Sequence, residues 1–111
     1  MAGTQFFAQP NATAWTEVAP GNRRRVLVHT PELMQVEFDF AEGVIGALHS
    51  HPHVQSSYVA EGRFDVTIDG RSEVIGEGGS FIVPSGLVHG VRALEAGRLI
   101  DSFTPAREDF L

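Results

Sequence analysis

Cysteine is absent from this 111-residue sequence, which excludes disulfide bonds and catalysis by a thiol. Lysine is absent too, so all eight basic residues are arginines, and fourteen acidic residues bring the net charge to −6. A chain of this charge repels a phosphate backbone, and we expect no nucleic-acid partner. No apolar run approaches the length of a membrane span, and residues 1–15 lack a basic segment followed by an apolar core. We therefore expect a cytoplasmic protein without membrane contacts.

The length predicts one domain over residues 1–111, large enough to bury about two-thirds of its unfolded surface. Hydrophobic residues make up 42% of the chain and charged residues 20%, which is typical of a globular protein. Residues 1–14 are small and polar, and we interpret them as a loose arm or a first edge strand. An anionic small molecule could still bind if an arginine or a metal ion supplied local positive charge.

Apolar residues recur at every second position in several segments. In residues 34–40, Met and Val and two Phe residues alternate with Gln, Glu and Asp, which predicts a half-buried strand. Residues 64–69 repeat the pattern, and Asp69-Gly70 is the favoured dipeptide of a two-residue hairpin turn. Further short strands are predicted over residues 15–18, 71–75, 80–83, 89–93 and 98–103. These features predict an all-β sandwich or barrel.

Three smaller features complete the secondary-structure prediction. We interpret the run Arg23–Arg25 as a solvated strand edge, because so short a charge run is seldom more. His29 is expected on the surface of a strand. Thr104 is predicted to cap a single helical turn with Pro105 in its first position, which proline tolerates.

Histidines are concentrated in the segment Gly43–Gly62, which holds three of the five. Side chains alternate between the two faces of an extended chain, so His49 and His51 project from the same face as near neighbours. Two imidazoles held this way can share a divalent metal ion. Gln55 keeps the even spacing and offers an amide oxygen, and only a folded sheet could bring His89 close. A single buried histidine is more often structural than metal-binding, so the argument for a metal site depends on His49, His51 and His89 together.

His53 has the same parity as these candidate ligands, and parity alone would make it another one. Pro52 interrupts the strand before it and can swing the histidine outward. We therefore place His53 at the rim of the site or behind the ligands. The neighbouring glycines and Pro84 are interpreted as turn residues without chemistry.

Two spaced motifs occur in order along the chain. The first is Gly43, five residues, His49-X-His51, three residues, Gln55, six residues and Gly62; the second is Gly78, five residues, Pro84-X-Gly86, two residues and His89. Together they resemble the two signature motifs of the cupin superfamily. The resemblance implies a single small double-stranded β-helix, or jelly-roll, barrel. It also implies one bound divalent metal ion with His49, His51, Gln55 and His89 as its ligands.

Two positions depart from the usual cupin pattern, which has Glu at position 55 and Asn at position 93, where this chain has Gln55 and Ala93. A neutral amide leaves both charges of a divalent ion in place, so the ion polarises a substrate oxygen more strongly. Oxygen activation by iron is then less expected. Gln55 could alternatively orient a water rather than bind the metal. Nickel, zinc, iron and manganese all accept this ligand set, so the metal stays open.

Three segments, Gly46–His53, Phe64–Gly70 and Leu99–Leu111, resemble the KdgF family of pectin-degradation cupins. Members of that family share the H-X-H-X-X-X-Q ligand choice. The resemblance implies ketonisation of 4,5-unsaturated monouronates, released from pectin or alginate, to linear 5-keto-4-deoxyuronates. The catalytic residues that it implies here are Asp101, Phe103 and Arg107.

The residues of the last predicted strand agree with this assignment. Leu99, Asp101 and Phe103 are two residues apart and share one face. A carboxylate carried into an apolar interior is costly unless it is paired. Asp101 is therefore either a functional group or half of a structural ion pair with Arg107.

Other functions stay open on the same barrel. They are a metal-dependent dioxygenase, a sugar-acid-binding module without catalysis, and an epimerase-like cupin whose product keeps its ring. The preference for pectin-derived or alginate-derived uronates also stays open. Small cupins are often homodimers, but no feature of this sequence demands a dimer.

Overall fold

The computed structural model describes residues 4–111, which form ten β-strands and one three-residue 3-10 turn. The strands are β1 Thr16–Ala19, β2 Asn22–Thr30, β3 Leu33–Phe40, β4 Ile45–His49, β5 Val54–Glu61, β6 Arg63–Ile68, β7 Arg71–Gly76, β8 Ser80–Val83, β9 His89–Ala93 and β10 Gly97–Thr104. The turn, η1, covers Glu108–Phe110. No helix in the described part of the chain is long and apolar enough to cross a membrane.

The strands form two antiparallel sheets that close into a jelly-roll barrel, as predicted. One sheet has the order β1-β2-β3-β10-β5-β8 and the other the order β4-β9-β6-β7. The alternating segments supply the core, because every second side chain points between the sheets. One buried cluster joins both sheets and comprises Phe40, Val59, Phe64, Val66, Ala93 and Leu99. A second cluster lies against the C-terminal tail and comprises Met34, Val36, Phe103 and Ala106.

Two turns explain why particular residues are needed. Asp69 and Gly70 have φ angles of 51° and 77°, and they join β6 to β7 as the predicted two-residue hairpin turn. Gly62 has a φ of 80°, and a Cβ there would lie 2.6 Å from the carbonyl oxygen of Ala96. Glycine is therefore required at this position both for its backbone angle and for the close approach of the neighbouring loop.

The prediction that Arg23–Arg25 form a solvated strand edge was wrong, because β2 lies between β1 and β3 within the sheet. Of the three arginines, only Arg23 is exposed as predicted, and it pairs with Asp39 at 2.9 Å. Arg25 is nearly buried against Glu37 at 2.6 Å. Arg24 points to the opposite face. Pairing on both sides of β2 is a long-range effect that a local charge pattern does not reveal.

The prediction for His29 was also wrong, because this residue is buried. The N-terminal segment covers it: Gln5 and His29 form an isolated β-bridge with two backbone hydrogen bonds of 2.7 and 3.0 Å. Trp15 lies over the guanidinium groups of Arg23 and Arg25. In the predicted arm of residues 1–14, Gln5 and Asn11 therefore bind β2, whereas Phe6 and Phe7 are exposed, and residues 1–3 lie outside the described part.

The predicted helical turn at Thr104 is not formed. Thr104 is the last residue of β10 and pairs with Val54, and no helical residue follows it until η1 begins at Glu108. The chain makes its single turn four residues later, where the amide of Phe110 donates to the carbonyl of Arg107 at 3.0 Å. This turn places Phe110 against Phe103 and Phe38.

Candidate metal centre and adjoining cavity

Three histidines from two parts of the chain meet at one end of the barrel. His49 and His89 stand directly opposite each other on the paired strands β4 and β9, with ring centroids 4.4 Å apart. His51 lies in the loop after β4, and one ligand nitrogen from each ring lies within 4.8 Å of the others. This is a separation that a single metal ion can span.

Backbone contacts bring the two motifs together. The amide of Gly86 donates a 2.9 Å hydrogen bond to the carbonyl of His51, which ties the histidine loop to the second motif. On β9, a Cβ at Gly90 would lie 2.8 Å from the carbonyl oxygen of Gly46 on β4. The absence of a side chain at Gly90 therefore lets β4 approach closely enough for His49 to face His89.

Hydrogen bonds orient all three imidazoles in the same way. Each Nδ1 lies against a backbone carbonyl: that of Ala47 for His49 at 2.8 Å, that of His53 for His51 at 3.1 Å, and that of Leu87 for His89 at 2.9 Å. A carbonyl oxygen only accepts, so Nδ1–H donates and the lone pair stays on Nε2. Within the described residues, the buried Nε2 of His89 has no hydrogen-bond partner. Three oriented imidazole lone pairs are what a divalent ion requires.

Gln55 adds an oxygen to this group. Its Nε2 donates to Ser57 Oγ at 3.0 Å and to Asp101 Oδ2 at 3.3 Å, which fixes the orientation of the amide. Its Oε1 then lies 3.1 Å from Nε2 of His51, so two acceptors face each other. A cation that binds both atoms would relieve this contact. The residues present therefore fit a metal ion held by three imidazoles and an amide oxygen.

Protonation of His51 and His89 is disfavoured here. Burial, and next the positive charge of Arg107, lower the pKa of His51, although Oε1 of Gln55 would accept a hydrogen bond from the protonated ring. Burial also lowers the pKa of His89. Neutral imidazoles are the form that binds a metal.

A cavity of about 420 Å³ adjoins the histidines and lies between the two sheets. The three residues implied as catalytic by the family resemblance, Asp101, Phe103 and Arg107, all line it. Leu99, Asp101 and Phe103 are all buried on the inner face of β10, as the strand parity predicted. Phe103 reaches the metal-site end of the cavity, where its ring lies 5.7 Å from that of His51.

Asp101 is the buried carboxyl group of this cavity. Only 4% of its surface is exposed, and its Oδ1 has no hydrogen-bond partner among the described residues. Burial raises its pKa to about 7, although a hydrogen bond with Ser57 and the charge of Arg107 act in the opposite direction. The carboxyl therefore forms no ion pair with any residue that the structure describes, and it lies next to the candidate ligand Gln55.

The alternative ion pair between Asp101 and Arg107 is not formed. Arg107 instead binds Asp109, with its Nε 3.0 Å from Oδ1 and its Nη2 2.8 Å from Oδ2. This pairing lowers the pKa of Asp109. The guanidinium carbon of Arg107 lies 5.1 Å from the centroid of the Phe103 ring and 4.2 Å from that of Phe110.

His53 lies beside the ligands rather than among them. It is half-buried, and its carbonyl accepts the hydrogen bond from His51 that orients the imidazole. Its own ring meets that of His51 edge-on at 5.5 Å. The interruption of the strand at Pro52 predicts a position for His53 at the rim of the site or behind the candidate ligands, and the structure places it behind them.

Several cavity residues escaped the sequence reasoning. Arg24, Asn22 and Phe110 line the cavity, and Ser57 supports Gln55 and Asp101 from below. Strand parity was the available signal for Arg24, since it shares a face with Asn22 and Val26 on β2. Nothing local marks Phe110, which reaches the cavity only because the tail folds back.

Comparison with known proteins agrees with this geometry. The profile of the cupin domain matches residues 36–103. A solved RmlC-like cupin from Shewanella frigidimarina is 40% identical, with a TM-score of 0.95 over the whole of both chains. The chain is therefore a member of the cupin family.

Two relatives narrow this assignment. Pectin degradation protein KdgF of Dickeya dadantii is 41% identical over 101 residues, which cover 89% of this chain and 92% of that protein. The structure of KdgF from a Halomonas species is 37% identical with a TM-score of 0.92, covering 97% of this chain and 100% of that one. Within the cupins, the chain belongs to the KdgF family.

Proposed function

We propose that this protein converts 4,5-unsaturated monouronates, the sugar acids released from pectin or alginate, to linear 5-keto-4-deoxyuronates. The relatives named for pectin degradation support the substrate class. One observation carries the reaction type: the buried carboxyl of Asp101, with a free oxygen, lines the same cavity as His49 and His89. A binding module without catalysis would not need an unpaired carboxyl at this position.

His49, His51, Gln55 and His89 would hold one divalent ion. When bound, the ion supplies Lewis-acid polarisation of a substrate oxygen. The other contributions come from the side chains around it.

Asp101 moves one proton in this proposal. The substrate is a cyclic hemiacetal whose ring oxygen belongs to an enol ether. Asp101 accepts the proton of the hemiacetal hydroxyl as the bond between C1 and the ring oxygen breaks, which leaves an aldehyde and an enolate. It then delivers a proton to C4 while C5 becomes a ketone. Substrate and product are isomers, so no oxidant or reductant is consumed, and an acid/base positioned in this way contributes about 10²–10⁴-fold in rate.

Arg107 and Phe103 bind the sugar. The Nε and Nη2 atoms of Arg107 are engaged by Asp109, and the Nη1–Nη2 edge of the guanidinium remains for a two-point hydrogen bond to the carboxylate. Phe103 is almost fully buried between the histidine end and Arg107, where its ring packs on a face of the sugar. Together they would hold C4 of the substrate toward Asp101.

The test is to mix purified protein with a 4,5-unsaturated monouronate and follow the ultraviolet absorbance of the conjugated enol. Absorbance should fall faster than in a protein-free blank, and a linear 5-keto-4-deoxyuronate should accumulate. Chelator-treated protein should lose this activity and regain it on addition of divalent ions. Equal rates with and without oxygen would set aside the dioxygenase alternative. No acceleration over the blank by the metal-loaded protein would refute the proposal.

A further inference from the structure

Arg24 places a second cation in the cavity. It lies on the inner face of β2, in register with Phe38 of β3, and lines the cavity with Asp101 and Arg107. Its guanidinium carbon lies 3.8 Å from the centroid of the Phe110 ring, and that of Arg107 lies 4.2 Å from the same centroid. One aromatic side chain from the tail therefore contacts both guanidinium groups.

Arg24 differs from the arginines on either side of it in having no counterion. Arg23 pairs with Asp39 and Arg25 with Glu37, at 2.9 and 2.6 Å. Among residues 4–111, no carboxylate lies within 4.0 Å of the Arg24 guanidinium. Its half-buried side chain also faces the like charge of Arg107; burial and this charge lower its pKa, and the more distant charge of Asp109 offsets them only in part. A desolvated cation beside another cation is unfavourable unless an anion compensates for it.

The shape of the cavity indicates what that anion is. The cavity of about 420 Å³ has room for a monosaccharide between the histidines and the two arginines. Guanidinium groups match the planar, two-oxygen geometry of a carboxylate. The Asp109 carboxylate occupies one edge of Arg107, so Arg24 adds donors to the single Nη1–Nη2 edge that Arg107 still offers.

We propose that Arg24 is a specificity-determining residue that, with Arg107, binds the carboxylate of a sugar acid and makes the cavity select uronates over neutral sugars. The choice of a uronate as ligand rests on the function proposed above. The competing explanation is structural: Arg24 would serve only to hold the tail through its contact with Phe110.

Binding of saturated D-galacturonate and of its neutral methyl ester separates these explanations, because neither ligand carries the 4,5 double bond and neither is turned over. Calorimetry on chelator-treated protein removes any contribution of a metal ion, and metal-loaded protein is measured in parallel. Arg24→Gln should weaken galacturonate binding about 10- to 100-fold and leave binding of the ester unchanged. Arg24→Lys keeps the positive charge but loses the planar two-point donor geometry of the guanidinium. Its affinity for galacturonate should lie between those of the wild type and Arg24→Gln.

Arg23→Gln is the matched control, since it removes the same charge from the same strand on the outer face. It should change galacturonate binding less than twofold. Thermal melting of each variant checks the fold, and Arg24→Lys keeps the test valid if Arg24→Gln does not fold.

Four results would overturn the proposal. These are no preference of the wild type for the acid over the ester, an unchanged preference in the folded Arg24 variants, equal weakening of both ligands by Arg24→Gln, and equal effects of Arg23→Gln and Arg24→Gln. Failure of the proposed function is distinguishable from these. If the protein discriminates between the acid and the ester through Arg24 but does not ketonise an unsaturated monouronate, the proposed function is wrong and the proposed role of Arg24 stands.

Discussion

Glu37 and Asp101 are two carboxyl groups on the neighbouring strands β3 and β10, and each exposes 4% of its surface. Glu37 points to the outer face of the sheet, where Arg25 lies 2.6 Å from one oxygen and Arg98 2.9 Å from the other. Asp101 points to the inner face, where Gln55 and Ser57 are neutral partners and one oxygen has none among the described residues. The two carboxyl groups are therefore equally buried, but Glu37 has two cationic partners and Asp101 has neutral ones.

The difference shows what distinguishes a structural carboxylate from a candidate catalytic one. Glu37 joins two strands that flank β3, and each of its oxygens is paired with an arginine. Asp101 is desolvated without a cation, so both protonation states are accessible near neutral pH. The unpaired oxygen, rather than burial, marks the group that can exchange a proton with a ligand.

Asp101→Asn should have the largest effect on turnover. We expect a loss of about 10²–10⁴-fold in kcat, because the amide cannot carry the proton. Its oxygen can still accept from Gln55, so metal content and galacturonate binding should persist. Asp39→Asn makes the same chemical change on the outer face of β3 and should leave the rate intact. A near-normal rate for Asp101→Asn would remove the proposed role.

Glu37→Gln should act on stability instead. Arg25 is nearly buried and would lose its counterion, so we expect the free energy of unfolding to fall by about 1–3 kcal/mol. Urea denaturation measures this change, and kcat per folded molecule should equal that of the wild type. A catalytic loss as large as that of Asp101→Asn would erase the distinction between the two carboxyl groups.

Ser57→Ala should have a smaller effect that reports on the support of Asp101. It removes the acceptor for the Gln55 amide and the hydroxyl bonded to Asp101, each worth about 1 kcal/mol. Metal affinity, measured by chelator competition, should fall up to about tenfold. Ser56→Ala, the exposed neighbour on the opposite face of β5, is the control. Equal metal affinities for the two variants would show that Gln55 needs no support from Ser57.

Arg63→Gln should have the smallest effect. Arg63 and Glu95 are 3.3 Å apart, but both side chains are more than half exposed, so solvent screens their attraction. We expect the free energy of unfolding to change by less than about 0.5 kcal/mol in urea denaturation. A loss comparable to that of Glu37→Gln would mean that burial of the pair contributes little to its strength.

The fold was predictable because its signals are local. Period-two alternation in residues 34–40 and 64–69 requires a strand with one buried face whatever the rest of the chain does. The turn at Asp69-Gly70 follows from backbone preferences of those two residues. The same parity placed Leu99, Asp101 and Phe103 on one inner face, and spaced motifs indicated which histidines would meet.

The errors concern residues whose surroundings come from distant segments. Arg24 and Arg25 are adjacent and point to opposite faces of β2, but what each face meets, the cavity for Arg24 and Glu37 for Arg25, is set by distant strands. His29 is buried by Gln5, which is 24 positions away in the sequence. Arg107 was one possible partner for Asp101, but the turn in the tail places Asp109 beside Arg107, and the two form the ion pair.

By itself, the amino-acid sequence determined the all-β architecture, the inward face of each well-patterned strand, and the set of histidines with Gln55 that could hold a metal ion. The first two depend on side-chain alternation and backbone angles, which act between near neighbours in the chain, whereas His89 joined the set through the resemblance of its motif to the cupin pattern. Only the tertiary structure decided which charged groups form ion pairs: Glu37 does so with two arginines, whereas Asp101 and Arg24 form none among the described residues. Electrostatic interactions depend on distance in space, and that distance is set by which strands and tail residues pack together.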